Sequence, residues 1–305
     1  MRSSMRRVLV ALIALALSPA AALADWRDEV KTLKVGFIAG DNPTQEVARL
    51  EKFRWRLQTA LAVPVTLFPA RSYQALIEAE SSGRIQYAIL SSLAYVALDQ
   101  ACHCAEPLVQ PVAADGARGF RALIVTPADS RIASLDDARG KRLAVARKDS
   151  LSGRLVPLAG LAAEGIDAET TFASLVETED PLAALKALES GDADLAVAWS
   201  TADEPLTAPR DSGPIGMLAA DGGLPPGGLR VIWRSDLVPF GPHAVRSDLP
   251  AEAKDALRRA LLAMRTDDPD AYDAIEPRFE GGFVDVEDAP YRRLGLLLAE
   301  VAAPQ

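Results

Sequence analysis

Histidine and cysteine are scarce in this 305-residue chain, with two of each. Two histidines, His103 and His243, offer little to a metalloenzyme, and no His/Asp cluster suggests a catalytic metal. Both cysteines, Cys102 and Cys104, lie in the stretch ACHCAEP. With one intervening residue, their pairing would close a strained ring. A Cys-His-Cys metal site is the alternative, and no further Cys or His lies near it in sequence. The stretch reads as a solvent-side loop carrying thiols or a disulfide. A Gly-x-Ser-x-Gly nucleophile elbow is also missing. Basic runs are absent, and the formal charge is −9, which argues against nucleic acid or an anionic membrane surface as partner. Long apolar runs are lacking too, apart from Val8–Leu17. That run is shorter than the roughly 20 residues a spanning helix needs. It follows MRSSMRR and precedes Ala22-Leu23-Ala24, the pattern of a secretory signal peptide over residues 1–24. No cysteine follows it, so a lipid-anchored form is not expected. Cleavage would remove three arginines and no acid, taking the charge from −9 to −12. The expected location is the periplasm.

Apolar residues make up 49% of the chain, enough for one large or two modest domains with a real core. Strand and helix patterns alternate. Leu33–Ala39 reads as a strand, and Asn42-Pro43 as the cap and first residue of a helix. Val63–Phe68 and Ile85–Leu90 are further strands, with a helix from Ser72 to Ser81 between them. Phe120–Pro127 is a strand, and Ser134–Asp137 is expected to open a short helix. Arg142–Ala146, Thr171–Val176 and Asp194–Trp199 complete a second βαβαβ unit, with Asp180-Pro181 capping its second helix. Asp203 to Gly228 is rich in Pro and Gly and reads as loose. LRVIWRS resumes as a strand, and the tail is helical. Such alternation predicts an α/β protein of two mostly parallel sheets flanked by helices. The expected division is residues 25–120 plus 232–305 in one lobe and 121–231 in the other.

The stretch KDSLSGRLVP (Lys148–Pro157) sits where a strand ends and a helix begins. Unpaired amides and partial positive charge at a helix start suit an oxyanion. Ser150 and Ser152 add hydroxyls, and Gly153 permits close backbone approach. An ordinary serine cap explains the same residues equally well. Other junctions are similarly polar. Asn42 and Thr44 follow the first strand, and Ser91, Ser92 and Tyr95 the third. Trp199, Ser200, Thr201 and Asp203 end the second unit. Ligands of open α/β sheets bind outside the carboxyl ends of the strands.

The chain resembles the periplasmic phosphonate-binding proteins, within the phosphate, phosphite and phosphonate solute-binding group of ABC importers. The likeness is carried by Ser150-Leu151-Ser152-Gly153 with Pro157, by IQYAILSSLAYV (Ile85–Val96), by DSRIASLDDARGKRLAV (Asp129–Val145) and by WRSDLVPFGPHAVRSDLP (Trp233–Pro250). It implies a two-lobed, type II periplasmic-binding-protein fold with a small anion in the cleft. Leu151 would lie against that ligand with the serines. The partner it implies is an ABC permease, or a membrane kinase if the fold serves as a sensor. No cofactor, metal or catalysis is implied, and a monomer is expected. A serine nucleophile would need a base. The one histidine outside the Cys-His-Cys stretch is His243, in a return segment that could approach the cleft. The chain departs from the family pattern at three places. Leu151 replaces a threonine, Gln86 an aspartate, and Glu179-Asp180-Pro181 occupies the place of an anion-contacting histidine. Either the acids point away, or the ligand is a zwitterion whose ammonium meets Asp180 or Asp203. Trp199 and Tyr95 would then wall the site, or Trp199 packs in the core.

Overall fold

The computed structural model describes residues 25–40, 42–201, 213–223 and 228–302. The expected signal segment and Asp203 lie outside them. The first stretch contains α1 (Trp26–Glu29), β1 (Leu33–Ile38), α2 (Pro43–Arg49), α3 (Glu51–Leu61), β2 (Val65–Ala70) and α4 (Tyr73–Ser81). It ends with β3 (Tyr87–Ile89), α5 (Ser92–Cys102) and β4 (Ala105–Pro111). The middle stretch begins with β5 (Gly119–Pro127) and β6 (Arg142–Val145). A π-helical turn (Leu151–Leu155) then leads into α6 (Val156–Ala163) and α7 (Ala168–Thr171). β7 (Ser174–Glu177), α8 (Pro181–Glu189), β8 (Leu195–Ser200), α9 (Pro214–Ala220) and β9 (Leu229–Arg234) follow. The return comprises β10 (Val238–Pro239), β11 (His243–Arg246), α10 (Ala251–Asp267), α11 (Pro269–Ile275), β12 (Phe283–Asp285) and α12 (Ala289–Ala302).

Two sheets result. The first has the order β12-β4-β11-β3-β1-β2, and the second β10-β5-β8-β6-β7 with β9 also on β5. Each keeps a parallel core of three strands, β3-β1-β2 and β8-β6-β7. Antiparallel returns extend both, so the sheets are mixed rather than mostly parallel.

Register decides which edges meet. β4 runs antiparallel to β11, which runs antiparallel to β3, so β4 leaves its sheet at the carboxyl edge of β3 and β1. The chain then enters β5, whose Arg121 pairs with Ser200 at the carboxyl end of β8. The return does the reverse: β9 ends opposite Leu123, β10 pairs with Gly119–Phe120, and His243 opens β11 beside Ile89. Both connections therefore join carboxyl edge to carboxyl edge. The connection is packed tightly: a Cβ on Gly241 would lie 2.0 Å from the Leu90 carbonyl oxygen.

One apolar core lies between α3, α10, α11 and the first sheet, with Phe53, Leu57, Leu261 and Tyr272 fully buried. The other is shared between lobes. Tyr95 and Val96 of α5, Val156 and Leu161 of α6, and Tyr291 and Leu294 of α12 belong to it, so α12 packs on both lobes.

Several expectations need correction. The residues 134–139 form turns, although Ser134 and Asp137 exchange the hydrogen bonds of a capped start. Residues 168–171 are helical, and the strand expected at Thr171 starts at Ser174. The Pro/Gly-rich segment holds α9, whose Ile215 and Leu218 are buried. The lobe boundary expected between 231 and 232 falls inside β9, which stays in the second sheet to Arg234. Short strands β10, β11 and β12 carry too few residues for a visible alternation.

Cys102 and Cys104 are joined as a disulfide. They sit where α5 passes into β4, and the intervening His103 is the left-handed residue that ends the helix, with φ of 47°. A ring this small removes little unfolded-chain entropy, contributing roughly 1–2 kcal/mol where a 15-residue loop contributes about 3.

Candidate functional site

The carboxyl edge of the second sheet carries the serine turn. Ser150 is extended, and its Oγ accepts the Gly153 N–H at 3.2 Å. Its carbonyl accepts the amides of Arg154 and Leu155. A capping hydroxyl uses a lone pair and keeps its own O–H to donate. The Leu151 and Ser152 amides and the Ser152 hydroxyl are not used by these bonds, so the turn presents a group of donors. Gly153 is not among these donors, because its amide is committed to Ser150. Its role is packing: a Cβ there would meet Ala146 Cβ at 2.5 Å, Pro181 Cγ at 2.9 Å and Ser150 Oγ at 2.9 Å. The side chain of Leu151 packs against the shared core.

The acids beside this turn have local partners. Arg147 binds Glu179 at 2.7 Å and Asp149 at 3.3 Å, and Arg154 binds Glu177 at 2.7 Å. Asp180 caps α8, accepting the Ala183 N–H at 2.8 Å. An Asp-Pro pair at a helix start accounts for this acid without a ligand.

On the first sheet, Ser91 caps α5 by accepting the Ala94 N–H at 3.1 Å, and like Ser150 it retains an O–H donor. Ser92 does not: it is buried and donates to the Pro239 carbonyl at 2.5 Å. Tyr95 is also buried, donating to Asp288 Oδ1 at 2.8 Å and meeting Tyr291 edge-on at 5.0 Å. Burial, then the bond to Asp288, holds its phenol above the ordinary range. This places Tyr95 in the joint between α5 and α12. Tyr95→Phe should lower stability by about 1 kcal/mol, the typical worth of such a hydrogen bond. It should leave ligand affinity within about threefold, as calorimetry on the two proteins would show. Thr44 is exposed in the first turn of α2, beyond the carboxyl end of β1.

At the end of β8, Trp199 is half-buried with its ring 5.5 Å from that of Phe120. Ser200 is buried opposite Arg121. Thr201 donates to Asp115 Oδ2 at 2.9 Å, in the turn between β4 and β5. Ser91 and Thr44 therefore lie on one carboxyl edge, and Ser150, Leu151, Ser152, Gly153, Asp180, Trp199 and Ser200 on the other. Ser92 and Tyr95 lie on the first lobe's α5, held by partners within the fold.

His243 does not approach that space. It is fully buried in the first lobe, bonded to the Tyr87 hydroxyl through Nδ1 and to Glu276 Oε1 at 2.8 Å through Nε2. Gln86 accepts the Lys34 N–H at 3.1 Å, a structural bond. Asp115 and Asp288 escaped the sequence reading because both act across the fold, and neither lies in a motif.

Two sheets joined carboxyl edge to carboxyl edge by two connections, with polar junctions on both edges, define a two-lobed α/β fold. A family model described as "ABC transporter, phosphonate, periplasmic substrate-binding protein" matches residues 35–291, and the chain belongs to that family. It is 28% identical to the phosphonates-binding periplasmic protein of Escherichia coli over 246 residues, covering 79% of this chain and 67% of that one. It is 26% identical to the phosphate-import protein PhnD of Mycolicibacterium smegmatis over 236 residues, covering 75% and 70%. Its fold matches a Xanthomonas citri protein bound to ATP, with TM-score 0.62, 22% identity and 89% and 97% of the chains covered. It also matches PhnD1 of Prochlorococcus marinus in complex with methylphosphonate, with TM-score 0.56, 18% identity and 89% and 98% covered. No helix among the described residues is long and apolar enough to cross a membrane.

Proposed function

We propose that this protein is the periplasmic binding component of an ABC importer, and that its cleft takes a small phosphorus oxyanion. The observation that carries the reading is the turn at Ser150, where capping leaves hydroxyl and amide donors on a carboxyl edge. Ser91 offers a donor of the same kind from the other edge. An anion held by both would favour a closed form of the two lobes, the form a permease distinguishes from the open one. Pairing of Glu177 and Glu179 with arginines supports an anionic ligand, because it offsets negative charge that would repel one beside the turn. Phosphate and phosphonate in the relatives' names, and methylphosphonate and ATP in the matched structures, share the phosphoryl oxygens this reading requires.

The test is calorimetry of residues 25–305 with phosphate, methylphosphonate, ATP and an alkanesulfonate. At least one phosphorus oxyanion is expected to bind. Ser152→Ala removes a donor that caps nothing, and a hydrogen bond to a charged group contributes about 1.5–3 kcal/mol, so affinity should fall roughly 10- to 100-fold. Binding of the sulfonate alone, or unchanged affinity in Ser152→Ala, would overturn the reading.

A further inference from the structure

The Cys102–Cys104 disulfide is a chemically reactive group to which the anion site makes no contact in the bonds described. Its two sulfurs have opposite surroundings. Cys104 Sγ lies 3.7 Å from Arg246 Nη1, a cation that favours a thiolate there. Cys102 Sγ lies 3.5 Å from the Leu98 carbonyl oxygen, at the carboxyl end of α5. A helix carboxyl end disfavours negative charge, and the carbonyl favours a protonated thiol. Arg246 is shared with Asp248 and lies near the buried Glu80, and the remaining charges nearby are those of Asp99, Glu106 and Lys254. Asp99 faces His103 at 3.3 Å, Asp248 holds Arg246 at 2.6 Å, and Glu106 binds Lys254 at 3.1 Å. Both cysteines are half-buried, while the His103 side chain between them is 78% exposed. The flanking backbone is held without the disulfide. His103 N–H donates to Asp99 O at 2.9 Å, and Ser247 N–H to Cys104 O at 2.8 Å.

We propose that Cys102–Cys104 is a thiol–disulfide exchange site whose substrate is an external thiolate. That thiolate attacks Cys102 Sγ, an S–S bond forms to Cys102, and the Cys102–Cys104 bond breaks with Cys104 leaving as the thiolate beside Arg246. A second external thiolate then displaces Cys102, so that two electrons reduce the pair and the two donors end as a disulfide. The order follows from the leaving group: the sulfur with the lower thiolate energy leaves faster. Because the flanking bonds persist, reduction leaves the fold in place. This inference does not depend on what the cleft binds.

Glutathione is the probe. The protein is treated near neutral pH, quenched in acid and mapped by mass spectrometry. The expected adduct is on Cys102 with Cys104 open to alkylation, and the far-ultraviolet spectrum is unchanged. An adduct on Cys104, or reduction seen only when the chain unfolds, would overturn the proposal. A second measurement uses Cys102→Ser and Cys104→Ser, following iodoacetamide alkylation against pH. The Cys104 thiol should react with a midpoint at least one pH unit below that of Cys102. Arg246→Gln should raise that midpoint and Arg246→Lys preserve it. If Arg246→Gln fails to fold, the two serine variants still decide, since equal or reversed midpoints contradict the assignment.

Discussion

Replacing Glu80 by glutamine will flatten the pH dependence of stability and make the protein more stable than its parent above neutral pH. Glu80 lies on α4, fully buried, and neither carboxyl oxygen has a hydrogen-bond partner. The nearby Arg246 is turned to the Glu80 and Ser81 carbonyls and to Asp248 instead. Burial pushes the carboxyl up to about 8 from 4.5, with Arg246 pulling weakly the other way. An acid raised in the folded state binds a proton that the unfolded chain has already lost. Stability is therefore greatest below about 4.5, falls as pH rises, and levels off above about 8. At 1.36 kcal/mol per unit, the total loss is on the order of 3–5 kcal/mol. Urea unfolding of both proteins at pH 5, 7 and 9 checks this. The difference between them should grow with pH in favour of the variant. A constant difference would mean that Glu80 is ionised and paired in the folded protein.

Gly153→Ala will abolish binding at the serine turn while leaving the protein largely folded. The added methyl meets Ala146, Pro181 and the Ser150 hydroxyl, all inside 3 Å. Relief requires moving Ser150, which breaks the cap and displaces the Leu151 and Ser152 amides together. Overpacking of this kind costs about 1–3 kcal/mol of stability. Losing two or more charge-assisted bonds removes more than about 3 kcal/mol of binding, over a hundredfold in affinity. Calorimetry with the phosphorus oxyanion bound by the parent, alongside thermal melting, separates the two effects. Retained affinity would show that the turn is not the anion site.

Much of this was legible in the sequence, for reasons that differ by element. Asn42-Pro43 and Asp180-Pro181 name their helix starts because cap and first-turn proline are local chemistry. The carboxyl-edge placement of Ser91 and Ser150 follows from strand–helix alternation alone. Roles within those junctions depend on distant partners. Ser92 and Ser91 are neighbours, yet one donates to Pro239 across the lobe connection and the other does not. Tyr95 belongs to a segment that carries the family resemblance, but Asp288, 193 residues away, accepts its hydrogen bond. The acids at 179–180 read as either turned away or holding an ammonium, and their partners, Arg147 on Glu179 and the Ala183 amide on Asp180, are visible only in the fold. Strands β11 and β12 are only four and three residues long, and their neighbours, not their own pattern, make them strands.

The central claim is that one anion bridges two facing carboxyl edges. Amide hydrogen exchange with and without saturating methylphosphonate, or whichever phosphorus oxyanion calorimetry identifies, tests it most directly. The account predicts added protection at residues 150–153 and, in the same experiment, at residues 90–94. Protection on one edge alone, or on neither while ligand is bound, would contradict it.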